Sequence, residues 1–124
     1  MSTRSTITIK GNYETLKLYH HCDGYPEGVG FDLMNRFYKK FQNEIYPDFN
    51  DVCNNLVKDT NDEYEITEYN HVDREYEYEI DIEAKTIRCW KVDWEFDKKE
   101  DSCDWKAHRG EEIDLVELWE KQEV

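Results

Sequence analysis

The sequence predicts a single α+β domain over residues 1–124: an antiparallel sheet with helices packed on one face, in the order β-β-α-α-β-β-β-α. Two periodicities and one loop predict it. From Asp73 to Glu83 carboxylates stand at every second position, with Tyr76, Tyr78, Ile80 and Ile82 between them; a period of two is that of a half-buried strand. Residues 31–57 instead repeat their apolar side chains every three or four positions, the period of an amphipathic helix. Three glycines and a proline between His21 and Gly30 mark a shaped turn between these regimes. Hairpin-linked strands interrupted by helices favour a sheet covered on one side.

The elements follow in chain order. Arg4 to Lys10 alternates, with Ile7 and Ile9 inward. Gly11-Asn12 is a turn signal, and Tyr13 to His21 returns as a second strand with Leu16 and Leu18 on one face. A helix over 31–45 places Leu33, Met34, Phe37, Tyr38 and Phe41 on one stripe. Asp48 is a suitable N-cap for a second helix carrying Phe49, Val52, Cys53, Leu56 and Val57. Tyr64 to Val72 reads as a third strand.

The acidic strand and its successor, Trp90 to Asp97, read as a hairpin turning around Glu83 to Ile87. Residues 97–110 read as a long polar loop, and Glu111 to Lys121 as a closing helix. That helix would turn inward either Ile113, Val116 and Trp119 or Leu115, Leu118 and Trp119.

The hairpin carries the main functional expectation. Matching apolar faces sets Ile80 opposite Trp90, Tyr78 opposite Val92 and Tyr76 opposite Trp94. The other face then sets Glu79 against Lys91, Glu77 against Asp93, Glu75 against Glu95 and Asp73 against Asp97. Like charges directly opposite one another are destabilising. An acidic face built at such a cost suits a basic partner, and the expected partner-binding residues are Asp73, Glu75, Glu77, Glu79, Asp81, Asp93, Glu95 and Asp97. The plainer reading is a solvated face that discourages edge-to-edge aggregation.

Composition points the same way. The formal net charge is −14 with an isoelectric point near 4.6, while 15% of residues are aromatic, enough ring area for a folded core. A chain so acidic lacks the footprint of a nucleic-acid binder and is repelled by anionic membranes; a Lys/Arg-lined surface attracts it. No apolar run has the length of a membrane span, and the opening residues carry no hydrophobic leader, so a cytoplasmic setting is expected. Cys22, Cys53, Cys89 and Cys103 lack C-x-x-C spacing and read as free thiols.

Three other groups of residues have the right chemistry for a site. The loop His20-His21-Cys22-Asp23-Gly24-Tyr25-Pro26 offers His21, Asp23, Gly24 and Tyr25 to a ligand. Its structural reading is a turn in which Asp23 bonds following backbone N–H groups and Gly24 takes positive φ. Adjacent strand residues point to opposite faces, so His20 and His21 are not expected to share a metal. Cys89, Cys103 and His108 form a metal set only if the 97–110 segment folds back. Tyr76, Tyr78, Trp90, Trp94 and Phe96 form a row suited to a core or to stacked bases. Carboxylate pairs abound without any being singled out as catalytic, and no P-loop, G-x-S-x-G or H-E-x-x-H string occurs. No cofactor is expected.

Thr3-Arg4-Ser5-x-Ile7, followed by His21-Cys22-Asp23-Gly24-Tyr25-Pro26-x-Gly28-x-Gly30 and a helix, resembles a family of small phage and prophage proteins with an N-terminal T-R-S segment and an H-W-D-G-Y-P loop. The likeness covers about the first third of the chain, and Cys22 stands where that family often has Trp. It carries over no catalytic residue. It implies a mobile-element protein in a bacterial cytoplasm.

Charge and context together lead to an acidic phage-type inhibitor docking on a basic host protein, such as a CRISPR effector or restriction enzyme, in place of nucleic acid. The alternative is a small-molecule or nucleotide-signal binding protein, or a hydrolase, using the Asp23-Gly24-Tyr25-Pro26 loop. A third reading is an accessory phage protein. Monomer and dimer are both compatible with the sequence.

Overall fold

A computed structural model of the chain describes residues 3–43, 47–57, 64–68, 74–99 and 102–122, with backbone alone for 94–99 and 102–107. Six strands, β1 (Ser5–Lys10), β2 (Thr15–His20), β3 (Tyr64–Thr67), β4 (Tyr76–Asp81), β5 (Thr86–Lys99) and β6 (Ser102–Ile113), form one sheet in the order β3-β2-β1-β4-β5-β6. Three helices, α1 (Phe31–Asn43), α2 (Phe49–Val57) and α3 (Leu115–Lys121), complete the α+β fold, and one π-helical turn, Pro26–Gly30, leads into α1. None of the described helices is long and apolar enough to cross a membrane.

β1 lies inside the sheet. Its hairpin partner β2 runs antiparallel to it on one side, and β4 runs parallel to it on the other. The sheet is therefore mixed, not wholly antiparallel as the hairpins suggested. The parallel register sets Ile7 beside Tyr78 and Ile9 beside Ile80, while the hairpin sets Leu18 and Leu16 against the same two isoleucines. Ile7, Ile9, Leu16, Leu18, Tyr78 and Ile80 thereby share one face. Leu33, Met34, Phe37 and Phe41 of α1, Val52, Cys53 and Leu56 of α2, and Leu115 and Trp119 of α3 close over that face.

The helices obey local rules. Asp48 accepts the Asn50 N–H at 3.3 Å at the start of α2, and Asp114 accepts the Glu117 N–H at 3.1 Å at the start of α3. α3 begins four residues later than the sequence pattern indicated, because residues 111–113 still belong to β6, with Glu112 and Ile113 paired to β5. Of the two inward sets considered, Leu115 and Trp119 are buried, and the Trp119 indole donates to Asn35 Oδ1 at 2.9 Å.

Two strand expectations are corrected. The segment read as a polar loop is strand: β5 and β6 pair from Cys89–Ile113 out to Lys99–Ser102, whereas β4 covers only Thr86–Lys91 of β5. Beyond Lys91 the two strands continue as a ribbon. Backbone pairing with β5 satisfies the amides of this polar stretch, so it needs no apolar pattern of its own. The β4–β5 register is also three residues from the expected one: Ile80 pairs with Ile87, Tyr78 with Cys89 and Tyr76 with Lys91. A tight turn causes this. Asp81 Oδ1 accepts the Ala84 N–H at 3.0 Å, and Lys85 takes a left-handed φ of 59°. An odd shift exchanges the faces of a strand. Ile87 and Cys89 therefore face the helices, and Trp90 goes to the other side of the sheet.

Candidate functional site

The face of the sheet away from the helices was expected to be a ladder of solvated acids. Glu79 instead pairs with Arg88, and Glu77 pairs with Trp90. None of the anticipated like-charge pairs forms among the described residues of β4. Glu77 is 5% exposed and Glu79 8% exposed.

Burying two carboxylates requires partners. Arg74, itself 7% exposed, places Nε 3.3 Å from Glu77 Oε1. Arg109, from β6, places Nε 3.5 Å from Glu77 Oε2 and donates from Nη1 to Glu79 Oε2 at 3.2 Å. The same guanidinium lies 3.9 Å from the centroid of the Trp90 ring, and that of Arg88 lies 4.7 Å from it. Arg88 also pairs with Glu112 of β6. The indole thus forms an apolar floor stacked against two cations, and those cations neutralise acids of β4 and β6. Arg74 had a legible signal, since it stands three residues before Glu77. Arg109 had none, because its segment read as a loop.

The remaining expected partner residues scatter. Glu75 is exposed, and its carbonyl accepts the Val92 N–H at 2.9 Å. Asp81 is half-buried and caps the β4–β5 turn. Asp93 is exposed and pairs with His108; Glu95 pairs with Lys106 and Asp97 with Asp104 along the ribbon. Asp73 lies outside the described residues. Glu75 and Asp93 are both exposed, whereas Glu77 and Glu79 belong to the arginine network.

The glycine loop is tied down from several sides. The Gly24 N–H donates to Thr3 O at 2.8 Å, Val29 N–H to Asp23 O at 2.8 Å, and Gly28 N–H to Tyr25 O at 2.9 Å. Asp23, not Gly24, takes the left-handed conformation, with φ 53°; short polar side chains tolerate that region. Gly24 is required for another reason: a Cβ there would lie 2.9 Å from backbone and side-chain atoms of Thr3, Arg4 and Ser5. At Gly28 it would lie 2.1 Å from Asp23 O. Tyr25 donates to Asp23 Oδ1 at 3.1 Å, and this bond is the main cause of a raised Tyr25 pKa.

His20 and His21 do point apart. His20 is buried with its ring 4.6 Å from that of Tyr64, while His21 is exposed against Tyr19 at 5.0 Å. Beside the loop is a concavity of about 200 Å³ lined by His20, Asp23, Gly28, Val29, Asp32 and Tyr64. Its two aspartates would repel a phosphate, and Asp32 is held by Arg36 at 2.9 Å and by the Tyr64 hydroxyl at 2.8 Å.

The other two groups separate. Cys89 pairs with Ile113, whereas Cys103 pairs with Lys98, nine positions further along β5; at the rise of a strand this is about 30 Å. Cys89 is fully buried, and burial pushes its thiol up to about 12. No group of three or more metal-ligating side chains occurs among the described residues. The expected aromatic row divides between the two faces, with Tyr78 in the core and Trp90 under the arginines.

Comparison of the chain with protein-family models, with curated proteins and with solved structures finds no match.

Proposed function

We propose that the protein is an acidic docking protein that occupies a Lys/Arg-lined surface of a host nucleic-acid-handling defence protein, an inhibitor of the anti-CRISPR or anti-restriction type. What supports this is where the cations go. Arg36 pairs with Asp32, Arg74 with Glu77, Arg109 with Glu77 and Glu79, Arg88 with Glu112, and Lys121 with Glu117. Guanidinium groups are held within the fold, while a formal charge of −14 remains for the molecule as a whole. A field of that sign steers a basic surface toward the protein.

The docking edge on this reading is the start of the β5–β6 ribbon. Glu75 and Asp93 are exposed there, and Glu95 and Asp97 follow Asp93 at alternate positions of β5. Alternate strand positions repeat at roughly 6.8 Å, a spacing at which acidic residues can stand in for backbone phosphates. Glu77 and Glu79, named in the first expectation, are left out of this surface because their oxygens face arginines.

The test is a pull-down from a bacterial host, with mass spectrometry and then binding kinetics on the purified partner. Glu75→Lys with Asp93→Lys leaves circular dichroism unchanged and abolishes capture, and the wild-type on-rate falls steeply as salt rises. Undiminished binding by that variant, together with loss on changing His21 and Asp23 to Ala, would move the site to the glycine loop.

A further inference from the structure

The outer face of the sheet holds a concavity of about 460 Å³ whose charge is opposite to that of the molecule. Lys10 and Thr8 of β1, Thr15 and Lys17 of β2, Arg74, Glu77 and Glu79 at β4, and His108 and Arg109 of β6 line it. Four cations face two carboxylates, which leaves a formal surplus of two positive charges with His108 neutral. Three other concavities have no such surplus. The loop cavity presents Asp23 and Asp32. One beside Gly11 presents Glu14 and Glu83. One under α3 sets Lys85 and Arg88 against Glu112 and Asp114. In a chain with 30 acids and 16 Lys and Arg residues, this inversion is local and specific.

The two carboxylates organise this cavity. Both are buried beneath arginines, and Glu77 receives two of them. They hold Arg74 and Arg109 in place, and Trp90 supports Arg109 from below. Lys10 and Lys17 differ, since neither forms an ion pair with a described residue. They project from adjacent strands, with Lys17 paired to Thr8 and Lys10 to Thr15, so two ammonium groups and two hydroxyls occupy one square of the sheet. A phosphate dianion matches this surplus in charge and in hydrogen-bond sense.

We infer that this concavity binds a small phosphorylated molecule that also carries hydroxyl or amine donors, the chemistry of a nucleotide. Lys10 and Lys17 take the phosphate, Thr8 and Thr15 donate to its oxygens, and Arg74 and Arg109 supply the positive wall. Glu79 Oε1, outside the Arg109 hydrogen bond, accepts from a ligand donor, which distinguishes a nucleotide from a bare anion. The volume falls within the range of small-ligand sites. This assignment does not rest on the acidic docking edge, which uses other residues and a protein partner.

Calorimetric titration of the whole protein at low salt tests it, using AMP, GMP, a cyclic dinucleotide, ribose 5-phosphate, inorganic phosphate and a short DNA duplex as probes. At least one nucleotide binds, and more tightly than inorganic phosphate. Lys10→Gln with Lys17→Gln weakens that binding at least about tenfold, the scale of a lost charged hydrogen bond, without altering circular dichroism. Lys39→Gln with Lys40→Gln, away from the cavity on α1, leaves it unchanged. No heat with any nucleotide, equal affinity for phosphate and nucleotides, preference for the duplex, or indifference to the Lys10 and Lys17 changes would each overturn the assignment.

Discussion

Tyr78 and Gly24 are joined by a buried hydrogen bond, the phenol of β4 donating to the loop carbonyl at 2.7 Å. It links the sheet to the glycine loop from within the core, because Tyr78 is fully buried. Burial also pushes the Tyr78 phenol well above the usual tyrosine range, so it remains a donor. Tyr78→Phe leaves the Gly24 carbonyl without this donor. It should destabilise the protein by about 1–3 kcal/mol, read as a lower urea midpoint with unchanged slope.

The buried acids predict a sharp contrast within one strand. Glu77→Ala removes a carboxylate shared by Arg74 and Arg109 and leaves their charges poorly compensated. It should cost about 3–5 kcal/mol. Glu75→Gln, two residues away but exposed, should change stability by no more than about 0.5 kcal/mol. Chemical denaturation of the two variants side by side checks this, and equal effects would count against the arginine network.

The thiols predict a pH dependence confined to the alkaline side. Burial raises Cys53 to about 11 and Cys89 to about 12 from an ordinary value of 9.0. Between 9 and these values the folded protein holds thiol protons that the unfolded chain has lost. This contribution is therefore complete below pH 9 and is lost as pH rises through 11 to 12. Urea midpoints should fall over that interval, and Cys89→Ser with Cys53→Ala should flatten the fall. Thiol labelling at neutral pH followed by peptide mapping should modify the half-buried Cys22 well before Cys53 or Cys89.

The sequence by itself determined the elements whose signals are local. Period-two runs at Ile7 and Ile9 and at Tyr78 and Ile80, helical stripes through Phe37 and Leu56, and the cap at Asp48 depend only on neighbours a few positions away. They are enough to specify an α+β chain and most of its core. The glycine loop was legible as a turn, although it was the contact of Gly24 with Thr3 to Ser5 that decided why no side chain fits there.

The tertiary structure decided everything that depended on pairing. Both Ile87-x-Cys89 and Trp90-x-Val92 present an alternating apolar set, so the pattern alone allowed two registers of opposite face. The Asp81-capped turn, with Lys85 left-handed, selected one of them. That selection turned Trp90 outward, brought Arg109 across from a segment with no strand pattern, and converted Glu77 and Glu79 from solvated acids into buried ion-pair partners. Charge is written in the composition, but whether a carboxylate meets water or a guanidinium depends on strand register, and register is a long-range property of the fold.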